Sequence, residues 1–290
     1  MRLVTYGRNS EAPRVGLVED DAIIDLAEID PAIPRDMIAL LHGGNDALQA
    51  VARRNAHGGR LPIKSVRLLA PIPQPPAYLG VGLNYREHAK EAGLAIPSAP
   101  LIFNKQPSCI SGPYDDVLLP RFSQQLDYEG ELGIVIGRAS RNLSSKEALG
   151  AIVGYVVTND FSVRDWQLSS PTHTLGKSFD THGPFGPWLV TADEVEDPQN
   201  LVIVTTVNGE VRQRGNTADM IFSCSDIVMF LSRFMTLLPG TVITTGTPAG
   251  VGFGHRPPAF LHVGDLVTVE ISHIGRIVNH VTAEAGKAKP

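Results

Sequence analysis

Residues 127–137 read DYEGELGIVIG, and this stretch decides the class of fold open to the chain. Its second half is almost wholly apolar, which predicts a buried strand. Because a strand places every second side chain on the same face, Asp127, Glu129 and Glu131 would all point the same way. Carboxylates that lie so close repel one another, and apolar surroundings strengthen that repulsion.

Such a face is tolerated if it is open to water, if one carboxylate is protonated, or if a cation binds there. Acidic residues on a strand are commonly just solvated, but the apolar continuation from Leu132 to Ile136 argues against that alternative. A fourth acid, Asp160, ends the next apolar run, AIVGYVVTND (151–160). Carboxylate oxygens suit a hard divalent ion. The pattern therefore favours a site for Mg²⁺ or Mn²⁺, between which the ligands do not choose.

The bulk composition excludes several classes of protein. The 290 residues are 43% hydrophobic and 19% charged, as in ordinary globular proteins. A net charge of −5 without a Lys/Arg cluster predicts no nucleic-acid partner. No apolar stretch approaches the roughly 20 residues of a membrane helix, so no membrane association is expected. The N-terminal stretch lacks the apolar core of a signal peptide, which predicts a cytoplasmic location.

The chain is predicted to divide near residue 70. Residues 1–70 combine short strand patterns with a modest helix and are expected to form a small N-terminal α+β domain. The segment 70–80, APIPQPPAYLG, is rich in proline and suits an extended linker. Residues 71–290 are dominated by runs rich in Val, Ile and Thr, with one clear helix in SCSDIVMFLSRFMTLLPG (223–240). The predicted fold class is α+β, dominated by β-structure.

A short polar helix in NYREHAKEAG (84–93) would place His88 and Glu91 on the same face. A carboxylate in that position fixes the tautomer of an imidazole and raises its basicity, which is how a general base for water is built. The alternative is a plain, solvated surface pair. The residues alone leave both interpretations open.

A second group follows the acid at position 160. Arg164 and Gln167 lie three residues apart and could bind a carboxylate or a carbonyl oxygen. Lys177 follows in LGKSFD (175–180), where a lysine could point inward with a lowered pKa. The alternative for all three is a set of solvent-exposed charges in a long loop.

The stretch TTGTPAGVGFG (244–254) follows a β-run and is rich in glycine. A dinucleotide-binding fingerprint would have to open a helix, but HRPPAF comes next, so nucleotide binding is rejected. A glycine-rich turn that lets a ligand approach the backbone fits better, with the Thr247 hydroxyl as a donor.

These motifs, in this order, resemble the fumarylacetoacetate hydrolase family over about residues 71–290. The segments that carry the resemblance are GLNYREHAKEAG (82–93), DYEGELGIVIG (127–137), TNDFSVRDWQ (158–167), LGKSFDTHGPFGPWLV (175–190), VNGEVRQRGNTADMIF (207–222), PGTVITTGTPAGVG (239–252) and FLHVGDLVTVEISHIG (260–275). The resemblance implies a mixed β-sheet barrel or roll, a small N-terminal domain as in the shorter bacterial-type members, and a homodimer.

The resemblance also implies which residues bind the metal. Glu129, Glu131 and Asp160 would be its three ligands, whereas Asp127 matches the motif without being a ligand. The longer eukaryotic branch has a further carboxylate ligand, and Asn84 stands at the position we align with it. A second departure is SSPTHT (169–174), where many relatives have an aromatic residue, which leaves the substrate open.

The catalytic residues implied by the resemblance are a His88–Glu91 dyad on a mobile lid helix, and Lys177. The positions implied to bind substrate are Arg164, Gln167 and Thr247.

The leading hypothesis for the activity is metal-dependent hydrolysis of a C–C bond in a 1,3-dicarbonyl 2-oxo acid. A metal-stabilised enolate would leave, and the dyad would deprotonate the attacking water. The same family hosts decarboxylases of the oxaloacetate type and isomerases or tautomerases of unsaturated 2-oxo diacids, and both stay open. A β protein with a structural divalent ion is the non-enzymatic alternative.

Overall fold

The computed structural model describes residues 1–8, 12–53 and 59–285. The strands of this part of the chain are β1 Arg2–Gly7, β2 Arg14–Glu19, β3 Ala22–Asp25, β4 Arg60–Pro62, β5 Arg67–Leu68, β6 Tyr78–Gly82, β7 Leu101–Lys105, β8 Ile110–Ser111, β9 Val117–Leu119, β10 Leu126–Asp127, β11 Gly130–Ile136, β12 Ile152–Asn159, β13 Ser162–Val163, β14 Gly183–Thr191, β15 Val202–Val207, β16 Glu210–Asn216, β17 Val242–Thr244, β18 Leu266–Ile271 and β19 Gly275–Ala283.

The α-helices are α1 Leu26–Ile29, α2 Met37–His42, α3 Gly44–Arg53, α4 Arg86–Glu91, α5 Ser145–Leu149, α6 Arg164–Gln167, α7 Thr174–Lys177 and α8 Cys224–Phe234. Short 3₁₀ turns cover Ile63–Ser65, Pro107–Cys109, Ala192–Glu194, Thr217–Asp219 and Gly252–Gly254.

A large mixed sheet organises the molecule. Its main path runs β4-β3-β2-β1-β14-β12-β11-β17-β6-β7, with β5 paired to β1 and β8 paired to β14. A second sheet has the order β16-β15-β18-β19-β9, and β10 pairs with β13. The predicted α+β class dominated by β-structure is therefore confirmed. The resemblance implies a mixed β-sheet barrel or roll, and the described strands do not close into a barrel.

The N-terminal strands extend this large sheet. In β1, Arg2 pairs with Val190 and Leu3 pairs with Leu189, so the first strand lies directly beside β14. A small separate cluster that includes Val4, Tyr6 and Ile23 fills the space around β1–β5. The domain boundary near residue 70 stays a prediction, and the sheet itself continues across it.

Strands β11 and β12 form the buried centre from which the site projects. Every residue of β11 is buried, as the apolar run predicts for a strand covered on both faces. Gly133 is required there because a Cβ atom would lie 2.6 Å from the side chains of Val156 and Thr158. The register pairs Glu131 with Thr158 and Gly130 with Asn159. The acidic end of β11 therefore meets the end of β12, directly before Asp160.

Candidate active site

The acidic stretch 127–131 is broken, not one continuous strand. Strand β10 ends at Asp127 and β11 begins at Gly130. The N–H of Glu129 donates to Oδ1 of Asn159 at 2.9 Å, and the N–H of Asp160 donates to the carbonyl of Glu129 at 2.8 Å. The break therefore brings Glu129 against the end of β12.

Asp127 is an anchor for a loop. Its carboxylate accepts hydrogen bonds from the N–H groups of Gly252 and Phe253 at 2.7 and 2.9 Å, and from Nε of Arg164 at 2.8 Å. All of its hydrogen-bond partners among the described residues are donors of this chain. This geometry agrees with the expectation that Asp127 is not a ligand.

Glu129, Glu131 and Asp160 come together as a buried carboxylate cluster. One oxygen from each lies within 4.8 Å of the others. Oxygen-only donors at this separation fit a hard divalent ion, and both Mg²⁺ and Mn²⁺ accept such ligands. The three carboxylates could therefore hold the divalent ion that the sequence pattern calls for.

The electrostatics of the cluster also fit a cation. Burial raises the pKa of Glu131 well above its ordinary value, and the charges of Asp160 and Glu129 raise it further. Glu129 behaves oppositely: burial alone would raise its pKa, but Lys177 and Arg164 lower it below the ordinary value. No Lys or Arg forms a salt bridge with Glu131 in the described part of the chain. The negative charge of Glu131 is therefore not balanced by a direct ion pair with the protein.

Lys177 lies inside the cluster as an ammonium ion. Its Nζ donates to Glu129 and to Asp160, each at 2.6 Å. Although burial by itself lowers the pKa of Lys177, Asp160 and Glu129 raise it above the ordinary value. The sequence-based expectation of a lowered pKa is therefore wrong, because the two carboxylates outweigh desolvation.

Lys105 is a site residue that the sequence pattern missed. Its buried Nζ donates to Asp160 at 2.5 Å and to the carbonyl oxygens of Lys177 and His182 at 2.6 and 3.1 Å. All three ammonium donors are thus used. Phe103 and Lys105 share the buried face of β7, but this two-residue spacing in LIFNK is weak as a guide, because a lysine that ends a short strand is commonly exposed.

Arg164 and Gln167 lie beside the cluster at the start and the end of α6. Nη1 of Arg164 donates to Glu129 at 2.6 Å and to Oε1 of Gln167 at 2.8 Å. The amide nitrogen of Gln167 is thereby oriented by the arginine. Both side chains line the same cavity as Glu129.

His88 and Glu91 form the expected pair on α4. Nδ1 of His88 lies 3.0 Å from Oε2 of Glu91, and Oε1 of Glu91 accepts from the N–H of Gly250 at 2.9 Å. Burial alone would raise the pKa of Glu91, but its hydrogen bonds to His88 and Gly250 lower it. A carboxylate only accepts, so Nδ1 bears the hydrogen and Nε2 keeps a lone pair. That arrangement is the one a general base requires.

The glycine-rich loop holds this pair instead of binding a nucleotide. A Cβ atom on Gly254 would overlap the carboxylate of Glu91, and one on Gly250 would overlap the carbonyl of Arg212. Gly250 also has φ of 104°, which favours glycine. Gly254 therefore lets the loop approach α4 closely, and Gly250 lets it approach β16.

Gly254→Ala is expected to lower kcat by about 10-fold or more by displacing Glu91, since small misplacements of catalytic groups are costly. Metal affinity should not change, because the substitution lies away from the three carboxylates. Steady-state kinetics and a Mg²⁺ titration check this, with Gly7→Ala as the control for glycine replacement, because a Cβ atom at Gly7 meets nothing within 4 Å. Wild-type kcat in Gly254→Ala would contradict it.

Thr247 lines the cavity, and its hydroxyl is already hydrogen-bonded within the protein. Its Oγ1 donates to the carbonyl of Gly130 at 3.0 Å and accepts from Nε2 of Gln213 at 2.7 Å. Gln213, which sequence reasoning missed, also accepts from the N–H of Gly130 at 3.0 Å. The side chain of Asn84 is also hydrogen-bonded within the protein, since its amide nitrogen donates to the carbonyl of Thr245 at 2.7 Å.

These side chains surround one cavity of about 320 Å³. The polar residues in its wall are His88, Glu129, Glu131, Arg164, Gln167, His173, Lys177 and Thr247. The remaining wall is mostly apolar and includes Val81, Leu83, Leu94, Leu101, Phe103, Leu168, Val251 and Phe253. A small, largely apolar cavity with convergent polar groups is the usual form of an enzyme site.

No helix within residues 1–8, 12–53 and 59–285 is long and apolar enough to cross a membrane. The cytoplasmic location and the homodimer stay predictions.

Comparisons with known proteins identify the family of this chain. A family model described as fumarylacetoacetate (FAA) hydrolase C-terminal matches residues 77–282. The human protein named oxaloacetate tautomerase FAHD2A, mitochondrial, is 43% identical over 289 residues, which cover 97% of this chain and 91% of that protein.

Two solved structures are also similar. Fumarylacetoacetate hydrolase from Exiguobacterium antarcticum has a TM-score of 0.86 and 38% identity, covering 98% of this chain and 100% of that one. Maleylpyruvate hydrolase from Sphingobium sp. SYK-6, in complex with manganese (II) ion and pyruvate, has a TM-score of 0.80 and 31% identity, with coverage of 98% and 100%. The chain therefore belongs to the fumarylacetoacetate hydrolase family and is an enzyme of that family.

Proposed function

We propose that this chain catalyses the keto–enol tautomerisation of a small 2-oxo dicarboxylate of the oxaloacetate class, with a divalent ion held by Glu129, Glu131 and Asp160. The observation that carries the proposal is that Glu129 and Glu131 of the carboxylate cluster line the same cavity as His88 of the His88–Glu91 pair. The relative named oxaloacetate tautomerase, 43% identical over 97% of this chain, supports this choice among the reactions that the family hosts.

The size of the cavity supports a small substrate. Its volume of about 320 Å³ lies near the lower end of the range for ligand pockets. A four-carbon acid fits within such a space. The apolar walls would exclude water and strengthen the electrostatic interactions inside.

The reaction moves a proton between C3 and the oxygen on C2, so the O–H bond of the enol is lost as a C–H bond forms. When bound, a divalent ion supplies Lewis-acid stabilisation of negative charge on the substrate's oxygens. Nε2 of His88 has a lone pair with which it can accept the proton from C3 or return it there. Glu91 holds the imidazole in that tautomer. Lys177 has a third donor beyond its two carboxylate partners and would stabilise the charge on the C2 oxygen.

Hydrolysis of an acylpyruvate is the second candidate. The observation that favours it is the same His88–Glu91 pair, which is also suited to deprotonate a water molecule. Decarboxylation of oxaloacetate would need no such base, because carbon dioxide leaves without attack by water.

The decisive experiment compares wild-type protein with His88→Gln in the presence of Mg²⁺ or Mn²⁺. We expect wild type to accelerate the decay of enol-oxaloacetate followed by ultraviolet absorbance. Loss of the base should lower this rate by about 10²–10⁴-fold while the metal-induced rise in Tm stays unchanged.

Pyruvate formation from oxaloacetate and cleavage of acylpyruvates are measured in parallel. Cleavage without tautomerisation would favour the hydrolase. Pyruvate formation that survives His88→Gln would indicate a decarboxylase. Metal binding without turnover of any 2-oxo acid would indicate a structural ion.

A further inference from the structure

His173 lies in the wall of the cavity, and none of the roles described above uses it. It directly precedes α7 and adopts the left-handed conformation, with φ of 59°. A residue other than glycine is uncommon in this conformation. The backbone strain is of the kind found at ligand-binding positions.

The imidazole of His173 is held in one orientation. Its Nδ1 lies 3.1 Å from the carbonyl oxygen of Gln167, and its ring meets the ring of Phe103 edge-on, with centroids 6.5 Å apart at 90°. Gly176 packs so closely that a Cβ atom there would overlap the backbone of Gln167. The segment that carries His173 is therefore fixed against α6.

This orientation leaves one nitrogen for a ligand. Because a carbonyl oxygen only accepts, Nδ1 of His173 carries a hydrogen. Among the described residues, Nε2 has no hydrogen-bond partner, although His173 lines the cavity. His173 lies four residues before Lys177, and both residues line this cavity together with Gln167.

The charges of the cluster show why a diacid needs such a group. Four buried carboxylates (Asp127, Glu129, Glu131 and Asp160) face three buried cations (Lys105, Arg164 and Lys177), which leaves one net negative charge. A bound divalent ion would turn this into one net positive charge, which balances a single carboxylate. The second carboxylate of a diacid needs another partner, because this net charge balances only one carboxylate and the remaining donor of Lys177 is assigned to the C2 oxygen.

We propose that Nε2 of His173 binds the second carboxylate of a 2-oxo dicarboxylate and makes the site selective for diacids over monoacids. In its imidazolium form, His173 donates from both nitrogens, to the carbonyl of Gln167 and to the carboxylate. This assignment rests on the proposed function for the position of the 2-oxo acid group at the metal. His173 would select the substrate and would not take part in proton transfer.

Two substitutions separate this role from a structural one. His173→Asn places an amide near the position of Nδ1, tolerates a positive φ and can keep the bond to Gln167, but it removes Nε2. His173→Gln places its amide near the position of Nε2 and gives up the bond to Gln167. L-malate and L-lactate serve as unreactive probes, because they differ in the presence of a second carboxylate, and calorimetry with Mg²⁺ measures their Kd values.

We expect wild type to bind L-malate more tightly than L-lactate. His173→Asn should weaken L-malate about 10-fold and change L-lactate by less than about twofold, as for the loss of one hydrogen bond to a charged group. His173→Gln should keep more of the preference for L-malate. No turnover is measured, so failure of the proposed reaction would leave this result readable.

Three results would overturn the proposal. In the first, wild type shows no preference for the diacid. In the second, His173→Asn binds both acids as wild type does. In the third, His173→Asn weakens the binding of both acids equally, which would indicate that the histidine only holds α6 and α7 together.

Discussion

Glu131→Gln is expected to abolish metal-dependent turnover while leaving the metal-free fold at least as stable as wild type. Glu131 accepts hydrogen bonds from the Thr244 hydroxyl and from the N–H of Gly246, the latter at 2.6 Å, and glutamine keeps an oxygen for both. In the described part of the chain no Lys or Arg pairs with Glu131. Its replacement therefore removes repulsion from Glu129 and Asp160 without leaving a buried cation alone.

The measurement is Tm in chelator and in Mg²⁺. A ligand at 100 times its Kd stabilises the wild-type fold by about 2.7 kcal/mol, and Glu131→Gln should lose this shift. Asp160→Asn is the matched control. It should also lose the metal shift, but its Tm in chelator should fall because Lys105 and Lys177 lose a partner. A metal shift that persists in Glu131→Gln would exclude it as a ligand.

Lys105→Met is expected to lower the free energy of unfolding by about 3–5 kcal/mol, the cost of breaking a buried ion pair by removing one partner. The side chain of Lys105 is 0% exposed, and so is that of Asp160. Without the lysine, one oxygen of Asp160 loses its charged partner, and two carbonyl oxygens lose a donor. Methionine fills most of the volume, so the effect reports charge and hydrogen bonding more than a cavity.

Urea unfolding of the metal-free protein checks this value. Lys90→Met is the control, because Lys90 pairs with Glu87 at 3.5 Å on the surface of α4 and should change stability by less than about 1 kcal/mol. The double variant Lys105→Met/Asp160→Asn should recover part of the loss, since it removes both partners. Wild-type stability of Lys105→Met would show that the buried lysine contributes no net stabilisation.

Local patterns predicted the elements that carry the site. The apolar runs around Glu131 and before Asp160 formed the adjacent strands β11 and β12. Ser223 caps α8. These features depend on neighbours within a few residues, which a sequence displays directly.

The pattern failed where the chain departs from regular geometry. A period of two predicts one face for Asp127, Glu129 and Glu131, but the break between β10 and β11 sends Asp127 to the glycine-rich loop. The hydrogen bond from the N–H of Glu129 to Asn159, which fixes this break, joins residues thirty positions apart. A local sequence pattern cannot predict a hydrogen bond between residues so far apart.

The sequence by itself determined which acids end the buried strands, that His88 and Glu91 share a helix face, and the resemblance to a family. Tertiary structure decided which partners these side chains have, and therefore their charge and orientation. Lys105 reaches Asp160 across 55 positions, and Gly250 reaches Glu91 across 159. Hydrogen bonds and ion pairs act over a few ångströms, so they depend on which strands and loops become neighbours. A strand or helix pattern specifies which side chains share a face, but only the packed fold supplies the partners that set their charge and orientation.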